Sequence, residues 1–291
     1  MSLLADKVAV VTGAGRGIGR AVALAYARMG ADVACVSRTE ENSAKAAVEV
    51  EALGRRAWAV AVDVSDTAAV DAAAGKILDD AGRVDILVNN AGVTRDNLLM
   101  RMSEEEWDSV TRVHLKGHFA PARHAIAYWR DLAKAGVEVD GRVVMTSSGA
   151  GLMGSIGQGN YAAAKAGIAL LVVQAAAEWG RYGVLVNGVA PDARTRMTEG
   201  VFYGAEAPDG WDDKDPANVS PLMVWLGSAD CDVTGRVFEA TGGSLNVCDG
   251  WQHGPVVSVA GRRFEVAEVG EAVHRSIRDA PDPAPVFGSG G

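Results

Sequence analysis

The chain has 291 residues, 48% of them hydrophobic and 22% charged, which is the balance of a globular protein rather than a disordered or fibrous one. Its net charge of −9 argues against a nucleic-acid or anionic-membrane surface, because either partner needs clustered Lys and Arg. No apolar run reads as a membrane span, no signal-peptide pattern precedes the first strand, and Cys35, Cys231 and Cys248 have no metal spacing and cannot all pair, so a cytoplasmic protein without a metal site is expected.

Apolar, β-branched runs at 7–12, 32–37, 57–62, 85–89, 142–146, 185–189 and 236–240 alternate with helical patterns such as 20–29, 40–53 and 66–79. Strands that are apolar almost throughout, each followed by a helix, imply a parallel sheet covered on both faces. Crossovers of this length are right-handed, so the fold class is α/β, a doubly wound Rossmann-type sheet of seven strands. Residues 1–249 read as one dinucleotide-binding domain, and 250–291 as an extension that packs to about residue 278 and ends in a disordered Pro/Gly tail.

Between the first strand and first helix lies Thr12-Gly13-Ala14-Gly15-Arg16-Gly17-Ile18-Gly19. Glycines here let the chain turn sharply and bring backbone N–H groups and a helix N-terminus against a pyrophosphate. Such a triplet elsewhere would be only a tight turn; its place at the first βα junction selects the cofactor reading. The second strand ends Ser37-Arg38 with no carboxylate to accept from ribose hydroxyls. With Arg16 opposite, two guanidiniums and a hydroxyl favour a 2′-phosphate, hence NADP(H), with NAD(H) as the alternative. Asp63-Val64 follows the third strand, where Asp63 is either an adenine contact or the cap of the next helix.

Ser103 and Glu106 form a capping-box pattern opening a helix to about residue 118, with Pro121 expected to kink or restart it. After the fifth strand come Ser148 and then Tyr161 and Lys165, four apart on one helical face. Tyrosine is a poor base at neutral pH, and a neighbouring ammonium is expected to lower its pKa. Tyr161 could then exchange a proton with a substrate oxygen that Ser148 holds. A lone Tyr/Lys pair is usually a surface helix pair; the strand end before it and the dinucleotide pattern around it argue otherwise.

In order and spacing, Thr12–Gly19, Asn89-Asn90-Ala91-Gly92, Ser148 and Tyr161-Ala-Ala-Ala-Lys165 resemble the motifs of the short-chain dehydrogenase/reductase family over about residues 5–245. The resemblance implies a Ser-Tyr-Lys mechanism, a cofactor lined by Asn90, Ala91 and Gly92, and a Lys165 that also holds the nicotinamide ribose; Thr195, after the sixth strand, joins the cofactor candidates. His114 stands where most members carry a catalytic asparagine. Its apolar helical face suits a core residue, and a supporting role is expected rather than direct acid/base work.

The stretches 113–117, 190–198 and 238–240 are similar to the (3R)-hydroxyacyl-CoA dehydrogenase domain of peroxisomal multifunctional enzymes type two and their bacterial relatives, a branch that often uses NAD. The implied reaction is hydride transfer on a secondary alcohol or ketone of an acyl thioester or steroid-like molecule. The alternatives are a 3-oxoacyl-acyl-carrier-protein reductase, whose acidic partner would meet Arg112, Lys116, Arg123 and Arg130, and a non-enzymatic dinucleotide sensor. The loop 199–218, with Phe202, Tyr203 and Trp211, is placed over the substrate. Apolar residues on more than one face of the helices at 106–117 and 161–179 predict a homodimer or homotetramer.

Overall fold

A computed structural model describes residues 2–198, 203, 208–248, 250, 253–278, 280, 281 and 286. The strands β1 (Val8–Thr12), β2 (Asp32–Ser37), β3 (Ala57–Ala61), β4 (Ile86–Asn89), β5 (Gly141–Thr146), β6 (Val184–Asp192) and β7 (Val237–Thr241) form one parallel sheet in the order β3-β2-β1-β4-β5-β6-β7. All seven expected strands are present, and the sheet has an eighth. The strand β8 (Ser244–Cys248) folds back antiparallel on β7, with Thr241 opposite Ser244. The pair Gly242-Gly243 makes the hairpin, Gly242 at φ +50, which is the two-residue turn that twisted strands prefer.

Two apolar layers sandwich the sheet. On one face α1 (Gly17–Arg28) and α8 (Ser220–Leu226) cover Ala9, Val11, Val33, Val88, Val144 and Val189. The Tyr26 hydroxyl donates to the Met223 carbonyl at 2.7 Å and joins the two helices. On the other face α3 (Thr67–Ala81), α5 (Gly117–Lys134) and α7 (Gly159–Trp179) cover Val10, Leu87, Val143, Met145 and Val186. The helix α2 (Glu40–Glu51) flanks β2 and β3. The stretch Gly159–Tyr182 has the length and hydropathy of a membrane-spanning helix, contrary to the expectation that no run would pass that test. In the fold, Ile168, Val172 and Ala175 of α7 are buried in the sheet's apolar layer.

Three local expectations need correcting. Asp66, not Asp63, caps α3, accepting from the Ala69 N–H at 3.1 Å. The Ser103/Glu106 capping box opens α4 (Glu104–Thr111), but the helix then widens into a π turn at Arg112–Lys116 before α5 begins. Pro121 sits inside α5 without interrupting it. The irregularity therefore falls on the turn that carries His114, and π turns are frequent at functional sites. Val110 of α4 and His114 of the π turn are buried, whereas Trp107 is 39% exposed.

The extension forms α9 (Val266–Arg278), of which only Ala272 is buried among the described residues. Val266, Val269, Val273 and Ile277 line one stripe and are exposed, as is Val256. That stripe is left uncovered by the described residues of its own chain. Trp251 and nearly all of the tail from 279 onward lie outside the described residues.

Candidate active site

The strand order reverses between β1 and β4, and a ligand in a doubly wound sheet binds in the crevice that opens there. Thr12 ends β1 and accepts at Oγ1 from the Asn90 and Ala91 N–H groups at 2.9 and 3.1 Å. Asn90 Nδ2 donates back to the Thr12 carbonyl at 3.2 Å. The 89–92 segment is thereby bolted to the glycine loop, an organising role for Thr12 and Asn90 that motif spacing did not signal. The result is a cleft of about 570 Å³ at the C-terminal ends of the strands.

The first turn of α1 carries no acidic residue and Arg16 gives its N-terminus no side-chain cap, which leaves its N–H groups to an anion. A Cβ on Gly19 would lie 2.2 Å from the Gly13 carbonyl oxygen and 2.6 Å from Asn90 Nδ2. Only glycine permits that approach, so the cradle fits a dinucleotide pyrophosphate. Gly19→Ala should lower stability by about 1–3 kcal/mol or more, since the clash is with backbone, and weaken NADPH binding. Thermal melts and fluorescence titration check this; a variant matching the parent in both would contradict it.

Of the expected cofactor residues, Gly13, Arg16, Gly17, Ile18, Ser37, Arg38, Asp63, Val64, Asn90, Ala91, Gly92 and Thr195 line the cleft, as do His114, Tyr161 and Lys165. Gly19 lies behind the wall. Arg196, which sequence reasoning passed over, lines it too. Burial, then the charges of Arg196 and Arg38, lower the pKa of Arg16. Three guanidiniums therefore crowd one corner, and Asp63 is the only carboxylate among the described lining residues. Asp63 accepts from Ser65 N and Oγ at 2.9 and 2.7 Å. Burial would raise its pKa, but those bonds and the charges of Arg38 and Arg112 bring it below the ordinary value.

On the other side of the cleft, Asn160 sets the start of α7. Its Nδ2 donates to the carbonyls of Arg95 and Glu106, both at 3.0 Å, and its Oδ1 accepts from the Tyr161 N–H at 2.7 Å. Lys165 Nζ donates to the Thr146 carbonyl at 2.5 Å and sits 5.5 Å from the Tyr161 ring centroid. Ser148 opens the short helix α6 (Gly149–Met153), accepting from Ala150 N at 3.2 Å, and faces the phenol. The three expected catalytic residues are thus brought together.

Their electrostatics differ from expectation in one respect. Burial pushes Tyr161 up to about 12, opposed by the Ser148 hydroxyl and reinforced by Asp96. Lys165 lies over the ring, and burial pulls its own pKa down to about 7. Desolvation sets both directions, because it penalises the charged form of either group. His114 accepts from or donates to Val93 through Nε2, 2.8 Å from its carbonyl, and meets the Tyr161 ring edge-on with centroids 5.1 Å apart. Burial, with Lys165 adding to it, holds His114 down at about 3, so it is neutral at physiological pH.

Beyond the cleft, Asp192 accepts from Lys214 Nζ at 2.7 Å and from the Tyr203 hydroxyl, anchoring what is described of the loop after β6. Trp211 is 70% exposed. Phe202 and Glu199 lie outside the described residues.

A sequence profile described as short chain dehydrogenase matches residues 7–203. The hydroxyacyl-CoA dehydrogenase ChsB1 of Mycobacterium tuberculosis is 48% identical over 252 residues, covering 82% of this chain and 78% of that protein. Peroxisomal multifunctional enzyme type 2 of Mus musculus is 37% identical over 81% of this chain, which spans only 32% of that longer protein. A 3-oxoacyl-acyl-carrier-protein reductase FabG of Vibrio harveyi is 38% identical, over 84% of this chain and 99% of its own. A crystal structure of a short chain dehydrogenase from Mycobacterium avium is 49% identical and superposes with a TM-score of 0.91 over 99% of this chain and 100% of that one.

Proposed function

The chain belongs to the short-chain dehydrogenase family and is an oxidoreductase acting on CH–OH groups with a nicotinamide dinucleotide; we propose that it interconverts the alcohol and ketone of a 3-hydroxyacyl/3-oxoacyl thioester or a steroid-like molecule, with NADP(H) preferred. The observation that carries the proposal is that Tyr161, which Ser148 faces, and Lys165 meet at the wall of a cleft whose other end is a glycine cradle rimmed by Arg16, Arg38 and Arg196. The thioester class is supported by the likeness to a hydroxyacyl-CoA dehydrogenase over most of both chains.

When bound, the nicotinamide supplies or accepts the hydride. The chain's residues manage the proton and the geometry. Tyr161 holds a proton at its phenol oxygen and gives it to the forming alkoxide during reduction. Ser148 holds the same substrate oxygen. Lys165, fixed by the Thr146 carbonyl, stands ready to recharge the phenol. His114 and Gly92 pack so closely that a Cβ on Gly92 would come within 2.5 Å of the imidazole, so only glycine there leaves room for the ring that meets Tyr161 edge-on. Reduction of acetoacetyl-CoA, followed as loss of NADPH absorbance, tests the proposal. A substrate panel of 3-oxoacyl thioesters and steroid ketones without turnover would overturn it.

The carrier-protein reading draws on the FabG relatives. Its basic patch is partly neutralised here, since Arg123 pairs with Asp71 and Arg130 with Asp131. That leaves the CoA thioester as the better-supported form of the acyl substrate.

We further propose a homodimer or homotetramer. Phe119 of α5 is 50% exposed, and Leu170 and Val173 of α7 are 67% and 47% exposed. Apolar surface grouped in this way on long helices is normally buried between subunits. Light scattering at micromolar concentration should return a multiple of 30.2 kDa; a monomer mass would count against it.

A further inference from the structure

A second cavity, of about 200 Å³, lies between α3 and α5 on the face of the sheet away from α1. Its floor is Val10 and Leu87, and its sides are Val70 and Ile77 of α3 and Pro121 and Ala125 of α5. Ala73 and Ala74 of α3 line it too; with Pro121 and Ala125 opposite, these side chains are too short to close the gap. Besides Tyr128, the polar lining residues already have partners. Thr12 Oγ1 donates to the Val88 carbonyl at 3.3 Å and accepts from the Asn90 and Ala91 N–H groups. Asp71 and His124, partly exposed at the outer edge, hold each other, and Arg123 meets Asp71 at 3.4 Å.

Protein interiors leave few voids larger than a water molecule, because the atoms around a void lose their packing contacts. Water does not repair such a loss here, since a buried water needs two to four polar partners and apolar cavities stay dry. The missing contacts call for an apolar occupant. A charged group would give up its hydration with no unpaired charge to meet it. A cavity of about 150 Å³ holds benzene, so this one suits about six to eight carbon atoms. Val36, Val62 and Val64 line this cavity and the cofactor cleft alike. The two spaces therefore share a wall, and Thr12, which lines the smaller one, bolts Asn90 and Ala91 of the larger to the glycine loop.

We propose that the cavity between α3 and α5 is a second ligand site, for an uncharged molecule or group with a hydrocarbon body of about six to eight carbon atoms, and that filling it tightens dinucleotide binding. The occupant holds Val36, Val62 and Val64 in place, so the cofactor meets a wall already ordered and less is lost in ordering it. By linkage, the dinucleotide tightens the occupant by the same factor. The coupling rests on the reading of the larger cleft as the dinucleotide's; the second site itself does not.

Toluene and 1-hexanol, titrated into the full chain, test the site without any need for activity. The methyl NMR signals of Val70, Ile77 and Leu87 should shift and saturate. Saturation by either probe supports the site, toluene pointing to a compact molecule and 1-hexanol to the end of a chain. Ala125→Leu, which fills the space, should abolish the shifts; Ala73→Leu does the same from the opposite wall and carries the test should the first variant fail to fold. With the probe at saturation, NADPH should bind at least about fivefold more tightly, and the leucine variant should show no such response. Absence of saturable shifts with both probes would overturn the site, and so would shifts that survive in both leucine variants. Equal NADPH affinity with and without bound probe would overturn the coupling. A chain that bound no dinucleotide at all would sink the reading of the larger cleft instead, and the methyl shifts would still decide the second site.

Discussion

Tyr161→Phe should bind NADPH as the parent does and reduce acetoacetyl-CoA roughly 10²–10⁴-fold more slowly, the usual cost of losing a positioned general acid. The substitution removes one oxygen. The Asn160 bond to the Tyr161 N–H and the edge-on contact with His114 do not involve it, so the fold and the cleft should persist. Because burial pushes the Tyr161 phenol up to about 12, the protonated form prevails at neutral pH. Reduction needs that form and should be nearly independent of pH between about 6 and 9, whereas oxidation of the alcohol needs the phenolate and should rise with pH across the same range. Steady-state kinetics in both directions, with melting temperatures as a control, check the expectation. A kcat within a few-fold of the parent would remove Tyr161 from the reaction.

The parts of the site legible in the sequence are those whose chemistry lies within one short segment. The glycine loop is seven residues from Gly13 to Gly19, and Tyr161 and Lys165 share one helical turn, so spacing alone sets their geometry. Arg196 is a different case. It reaches the Arg16/Arg38 corner because the loop after β6 is held by a tertiary bond, Arg194 N to the Lys214 carbonyl at 2.6 Å, and by an irregular turn in which Thr198 Oγ1 donates to the Ala193 carbonyl at 2.9 Å. No local period records such bonds. The π turn at Arg112–Lys116 is equally hidden, since reading the segment from 103 to 118 at a 3.6-residue period assumes the regular helix that the turn breaks. The strand β8 left a trace in Gly242-Gly243, but its short, largely exposed sequence reads as a loop until β7 is there to pair with it. The direction of the Tyr161 shift could not be read either, because spacing shows the ammonium nearby and not the burial that raises the phenol.

The same contrast sharpens what is expected of the cofactor. From sequence, the NADP(H) preference rests on Ser37, Arg38 and Arg16; the fold adds Arg196 and leaves the three guanidiniums without a salt bridge among the described residues, each able to meet a dianion. Like charges this close oppose one another, and a 2′-phosphate would relieve that repulsion while gaining charge-assisted hydrogen bonds. Hydrogen bonds to charged groups contribute about 1.5–3 kcal/mol each, or roughly ten- to a hundredfold in affinity per guanidinium. The unmodified protein should therefore bind NADPH at least about tenfold more tightly than NADH. Arg38→Ala and Arg196→Ala should each weaken NADPH while leaving NADH nearly unchanged, because NADH offers no phosphate at that corner. Joining Ser37→Asp to Arg38→Ala should reverse the preference, since the new carboxylate accepts from ribose hydroxyls and repels a phosphate. Parallel fluorescence titrations of both dinucleotides decide the matter, and the salt dependence should be steeper for NADPH if charge is the cause. Tighter binding of NADH by the unmodified protein would show that the guanidiniums face solvent rather than cofactor and that the ribose is read by its hydroxyls alone.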